Sequence, residues 1–263
     1  MIVITDNMPA WTMKEKMTYQ EKSGISTNYL GFATNRDIIK DRDVRKAIAM
    51  AIDRDAIIDS IMMGTVEKAN SFVAPGTFGY SKDSKVLEYN PEEAKKIIEA
   101  KGLVGTKLKL GVSNSPVRMQ MCEIIQAQLK EVGLDVSIES LEWGTFLAAT
   151  AKGDLDMFSL GWGPSTYDGD YGFYPNFHSS QLGGAGNRSQ YVNPEMDRLL
   201  DEAKKEVNPE LRKELYAKVA DIIYEDVPVL PIYYTNDTIA AVNTVQGAKP
   251  TSYIRFDELS FKK

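Results

Sequence analysis

The sequence predicts an α/β fold in which a mixed or parallel sheet carries helices on both faces. Segments that alternate apolar and polar residues recur along the middle of the chain, separated by segments with a helical period. Three of the helical segments open on Asn-Pro, at Asn90-Pro91, Asn193-Pro194 and Asn208-Pro209. Asparagine caps the free N–H groups of a first turn, and proline at the first helical position loses no hydrogen bond. Helical segments also stop at glycine, at Gly64, Gly102 and Gly133.

In chain order, IVIT near the start reads as a strand stopped by Pro9. Thr27–Thr34, TNYLGFAT, alternates and is rich in aromatics, so it reads as a second strand. Asp43 then caps one long helix whose apolar face is Val44, Ile48, Ala51, Ile52, Ile57, Ile58 and Ile61, ending at Gly64. SFVAPGTFGYSKDSK is a loop by its Pro, Gly and Ser content. A helix from Asn90 to Gly102, the strand KLKLGVS, a helix VRMQMCEIIQAQLKEVG and the strand LDVSIESLE follow. TFLAATAKGD is a short helix, and LDMFSLGW an apolar strand buried on both faces. From Gly163 to about Asn193 no periodicity is visible, and the stretch reads as a long functional loop held by aromatics. Helices at 194–207 and 209–225, strands PVLPIYY and DTIAAVN, and a final strand SYIRFDELSF complete the chain.

Composition narrows the function. With 43% hydrophobic and 26% charged residues, the 263-residue chain is ordinary globular protein. A net charge of -6 without a basic run argues against nucleic acid and against an anionic membrane surface. No apolar stretch reaches the ~20 residues of a membrane span, and the first residues lack the pattern of a signal peptide. A single cysteine, Cys122, on an apolar-periodic helix reads as a buried structural thiol. A single histidine, His178, makes a zinc enzyme improbable, and no GxSxG, Walker A, GxGxxG or HExxH motif occurs. No metal or cofactor is expected.

From Thr27 onward the pieces occur in the order found in one family. TNYLGFATN with DRDVRKAIAMAIDRDAII, GYSKDSKVLEYNPEEAKKIIEAKG, EIIQAQLKEVGLDVSIESLEWGTF, LDMFSLGWGPSTYDGDYGFYPNFHSS and ELYAKVADIIYEDVPVLPIYY together resemble the family 5 extracellular solute-binding proteins. These include oligopeptide- and dipeptide-binding receptors of ABC importers. The resemblance implies the carboxy-terminal lobe of a type II periplasmic-binding-protein-like fold. It divides the chain into 1–26, a remnant of the first lobe; 27–246, the second lobe; and 247–263, a strand returning towards the first lobe. It implies no catalysis. A peptide or similar small polar solute is trapped between two lobes and handed to a membrane permease, outside the cytoplasm, by a periplasmic protein or a cell-surface lipoprotein.

In relatives of this kind an acid a few residues after Gly-Trp binds the ligand's α-ammonium. Here the interval is longer; Asp168 is the best match and Asp170 the alternative, although an Asp beside Gly also caps turns. Trp162, Tyr167 and Tyr171 are candidate walls of the pocket, and Phe173 a weaker one. Asn187, Arg188 and Ser189 could reach a ligand carboxylate, or Arg188 could form a salt bridge. His178 reads as a hydrogen-bonded structural residue, and Glu139 with Glu142 as a solvated strand end. Two other functions stay open on sequence: a hydrolase using Asp168 and Asp170, and a stand-alone sensing or adhesion module.

Overall fold

The computed structural model describes residues 2–4, 17–183, 186–251 and 256–262. Its centre is a six-stranded sheet in the order β1-β6-β2-β5-β3-β4. The strands are β1 (Ile2–Ile4), β2 (Met17–Phe32), β3 (Lys107–Ser113), β4 (Asp135–Leu141), β5 (Met157–Trp162) and β6 (Val229–Val242). β5, β3 and β4 are parallel; β1, β6 and β2 join them antiparallel, so the sheet is mixed. A small antiparallel pair, β7 (Val245–Gln246) and β8 (Ser260–Phe261), lies apart. The stop at Pro9 and the first four residues of the expected last strand, 252–255, lie outside the described residues.

Alternation along the strands builds two cores. Leu30 and Phe32 of β2, Leu108, Leu110 and Val112 of β3 and Met157 of β5 point to one face. There they meet α1 (Arg42–Met50), α2 (Arg54–Met62), α3 (Pro91–Ala100) and α4 (Pro116–Glu131). Tyr29, Phe158 and Leu160 point to the other. They pack on α5 (Trp143–Lys152), α6 (Gly169–Phe177), α7 (Pro194–Lys205) and α8 (Pro209–Asp226), through an aromatic layer of Phe72, Phe146, Phe173, Phe177 and Tyr216. Gly31 permits the close packing: a Cβ there would enter the ring of Phe158.

The three Asn-Pro caps form as read, with Asn90 Oδ1 accepting the Glu93 N–H at 3.1 Å and Asn193 and Asn208 each accepting two. Gly102 and Gly133 adopt the positive φ of helix terminators, +66° and +94°. Five points differ from the sequence reading. The first helix is two, because Asp53 accepts the Ala56 N–H as a new N-cap and its own N–H donates to Gln128. Its N-cap is Asp41 rather than Asp43. The stretch after Gly163 holds the helix α6, whose Gly169, Gly172 and Pro175 hide its period. PVLPIYY and DTIAAVN are one continuous strand, β6, and β2 begins ten residues before Thr27.

Between Ser23 and Thr27 the β2–β6 register shifts. Beyond this bulge the two strands continue as a ribbon flanked by β1.

Candidate functional site

The parallel strands β3, β4 and β5 end on the same side of the sheet, and each is followed by a helix: α4, α5 and, after the loop 163–168, α6. Three helix N-termini therefore gather along this carboxyl edge, where crevices in α/β sheets form and where backbone N–H groups favour anions. Thr27 and Asn28 lie there too, because β2 runs antiparallel to β5 and sets Thr27 opposite Trp162 and Asn28 opposite Gly161.

The sequence-predicted residues divide into two groups. Trp162 closes β5 half-exposed; its indole N–H donates to the Tyr171 carbonyl at 2.9 Å, and the two rings lie 5.6 Å apart. Tyr171 and Tyr167 are exposed. Tyr167 holds a φ of +56°, an uncommon value for a residue other than glycine. Phe173 is fully buried in the aromatic layer.

The other group is committed inside the lobe. Asp168 is the N-cap of α6, with Oδ1 accepting the Asp170 N–H at 2.8 Å. Its two oxygens also accept from Arg212 of α8, at 2.7 and 2.8 Å, in a fork-to-fork pair. Burial is the largest single influence and would lower the Arg212 guanidinium, but the hydrogen bonds to Asp168, together with the charge of Asp168 and the contact with Tyr216, outweigh it and hold the group above its ordinary value. Asp170 acts electrostatically on Tyr216, which Arg212 also contacts. The carboxylate expected to meet a ligand ammonium is thus neutralised by an arginine of the same lobe. Asn187 is buried, donating to the His178 and Tyr191 carbonyls and accepting the Tyr191 N–H. Arg188 is buried as well, donating to the Leu147 carbonyl and the Thr150 hydroxyl. Asn187 ties the 186–191 turn to the end of α6 and Arg188 holds it against α5, and neither projects into a crevice. Ser189 donates to the Pro228 carbonyl. His178 Nδ1 accepts the Ser180 N–H, and its ring stacks on Tyr174 at 4.3 Å. Glu139 pairs with Lys109, and Glu142 caps α5.

Arg118 went unnoticed in the sequence. It stands in the first turn of α4, with one nitrogen 3.4 Å from Asn28 Oδ1. No carboxylate of the described residues lies within ion-pair distance, and its buried Nε has no partner. Thr27 Oγ1 is also buried without a partner. Gly161 makes the space: a Cβ there would stand 3.1 Å from the guanidinium. Ser115, at the N-cap of α4, makes no capping hydrogen bond, which leaves the first N–H groups of that helix open. A cation in a first turn opposes the helix dipole, and that misplacement was the signal available in SNSPVR. Trp143, at the start of α5 and exposed, is a second aromatic on this edge.

Comparison with known proteins gives the family and the fold. Residues 2–184 match the model of the bacterial extracellular solute-binding proteins, family 5. The chain is 29% identical over 244 residues to the oligopeptide-binding protein AppA of Bacillus subtilis, covering 86% of this chain and 44% of that protein. It is 26% identical over 227 residues to the dipeptide-binding protein of Escherichia coli, covering 84% and 42%. Among solved structures, a periplasmic binding protein from Helicobacter pylori in complex with the peptide STSA superposes with a TM-score of 0.87 at 28% identity. That match covers 95% of this chain and 50% of the other. The chain spans about half the length of the relatives it matches. No helix among the described residues is long and apolar enough to cross a membrane. The family consists of solute-binding proteins and not of enzymes, which removes the hydrolase alternative. With sequence and fold in agreement, the chain belongs to the bacterial extracellular solute-binding proteins, family 5.

Proposed function

We propose that this chain is the carboxy-terminal ligand-binding lobe of an extracytoplasmic receptor for peptides or similar small solutes, which delivers them to an ABC permease. The ligand lies along the carboxyl edge. Trp162 and Tyr171 form one wall, with Tyr167 in the same loop and Trp143 farther along the edge, beyond the end of β4. Arg118, backed by Asn28 and the open N-terminus of α4, takes a ligand carboxylate. The ligand role expected for Asp168, Asp170, Asn187 and Arg188 passes to Arg118, since Asp168 is held by Arg212, Asp170 stands in the first turn of α6 and the last two are buried. A first lobe, hinged beyond the ribbon of β2 and β6, completes the enclosure.

The observation that carries this reading is the unpaired Arg118. A guanidinium kept partly buried without a counter-charge is costly, and a ligand that supplies the counter-charge recovers that cost. The test is a titration of tripeptide into the chain, followed by tryptophan fluorescence, with Arg118→Gln for comparison. A hydrogen bond to a charged group is worth ~1.5–3 kcal/mol, so affinity should fall ten- to a hundredfold. An unchanged dissociation constant would remove Arg118 from the site. One lobe supplies only part of the contact surface, so binding by this chain alone should be weak, beyond the micromolar range.

A further inference from the structure

The charges along the carboxyl edge are one-sided. After Trp162 the chain runs Gly163-Pro164-Ser165-Thr166-Tyr167, all neutral, before the first acid. That acid, Asp168, has both oxygens on Arg212 and one also on the backbone of α6. The next, Asp170, stands in the first turn of α6, where the helix N-terminus offsets its charge. At the end of β4, Glu139 is paired with Lys109 at 3.2 Å, and Glu142 Oε2 accepts the first N–H groups of α5 at 2.8 and 3.3 Å. On the positive side stand Arg118 and the N-terminus of α4, with no carboxylate of the described residues paired to either.

Given the ligand role proposed above for this edge, on which this rests, we infer that the lobe reads only the anionic end of its solute and provides no counter-charge for an ammonium. Its ligands are therefore carboxylate-bearing solutes in which a free amino terminus is dispensable: N-blocked peptides, or small carboxylates that are not peptides. An ammonium brought to this edge would lose water without gaining a carboxylate, which is a net cost. An acetylated amino terminus removes that cost and adds a neutral carbonyl, which Ser165, Thr166 or the Trp162–Tyr171 wall can accommodate.

Three probes test this on the 263-residue chain: Ala-Ala-Ala, N-acetyl-Ala-Ala-Ala and Ala-Ala-Ala-amide. Each is titrated into ¹⁵N-labelled protein while the indole N–H signals of Trp143 and Trp162 are followed. The acetylated peptide should bind as tightly as the free one or more tightly, and the amide at least tenfold more weakly. Added salt should weaken the acetylated peptide most, because it carries charge at the anionic end alone. The inference is overturned if acetylation weakens binding tenfold or more while amidation is tolerated, since the edge would then read the ammonium. Silence of all three probes at millimolar concentration would instead overturn the ligand role of the edge itself, and the inference with it.

Discussion

Replacing Asp168 by Asn separates a ligand-binding role from a structural one. Asparagine caps a helix about as well as aspartate, so the bond from the Asp170 N–H to the side-chain oxygen can persist. What is lost is the charge facing Arg212, now bound through both oxygens at 2.7 and 2.8 Å. Hydrogen bonds to charged groups contribute ~1.5–3 kcal/mol. The side chains are 31% and 20% exposed, so solvent screens part of this. A loss of ~1.5–2 kcal/mol is expected. At ~2–4 °C per kcal/mol for a chain of this size, the thermal midpoint should fall by roughly 3–8 °C. Calorimetry measures the melt, and the same titration used for Arg118 measures affinity, which should change less than twofold. An unchanged midpoint together with a tenfold loss of affinity would refute the reasoning and return Asp168 to the ligand.

Burial pushes the Cys122 thiol up to about 12. It should therefore stay unreactive towards a disulfide reagent at pH 8 in the native protein and react on unfolding. The thiol's contribution to stability is complete below its unfolded value of ~8.5 and is lost as the pH climbs towards about 12, which urea midpoints across that range would record. Gly31→Ala should force the Phe158 ring aside and destabilise by ~1–3 kcal/mol, read as a lower urea midpoint with unchanged slope. Arg45→Met should cost ~3 kcal/mol in the same assay, because it strands the carbonyls of Ile39, Lys40, Asp226 and Val227 that the guanidinium now binds; a loss under ~1 kcal/mol would show that water replaces them.

Local chemistry was legible in the sequence, and distant partners were not. The Asn-Pro starts and glycine stops depend on neighbours within a turn, so they could be read directly. The break at Asp53 was hidden because Ala51, Ile52 and Ile57 keep an apolar period across it, while the bond that helps fix it comes from Gln128, 75 residues away. The polar run before Thr27 carries no strand pattern; its partner is the far half of β6. Candidate site residues were found as a segment, since aromatics after Gly-Trp mark an exposed edge. Their division into wall and scaffold was not visible, because it depends on Arg212, 44 residues from Asp168, and on α5 beneath Arg188.

The sheet that separates the two cores also limits how the chain length can change. Neighbouring residues of β2 serve opposite sides, Tyr29 the aromatic layer and Leu30 the aliphatic one. One residue gained or lost within β2 or β5 would send each later side chain into the wrong compartment, with Phe32 arriving among rings and Tyr29 among leucines. No compensating substitution at a single position could restore both sides. Tolerated insertions and deletions should therefore collect in the turns, such as those around Gly76, Gly105 and Gly183, where an added Cβ would meet nothing within 4 Å. Members that differ in length should keep the strands at constant spacing and vary only at the rims, so the aromatic wall at Trp162 can be rebuilt while the partition beneath it stays unchanged.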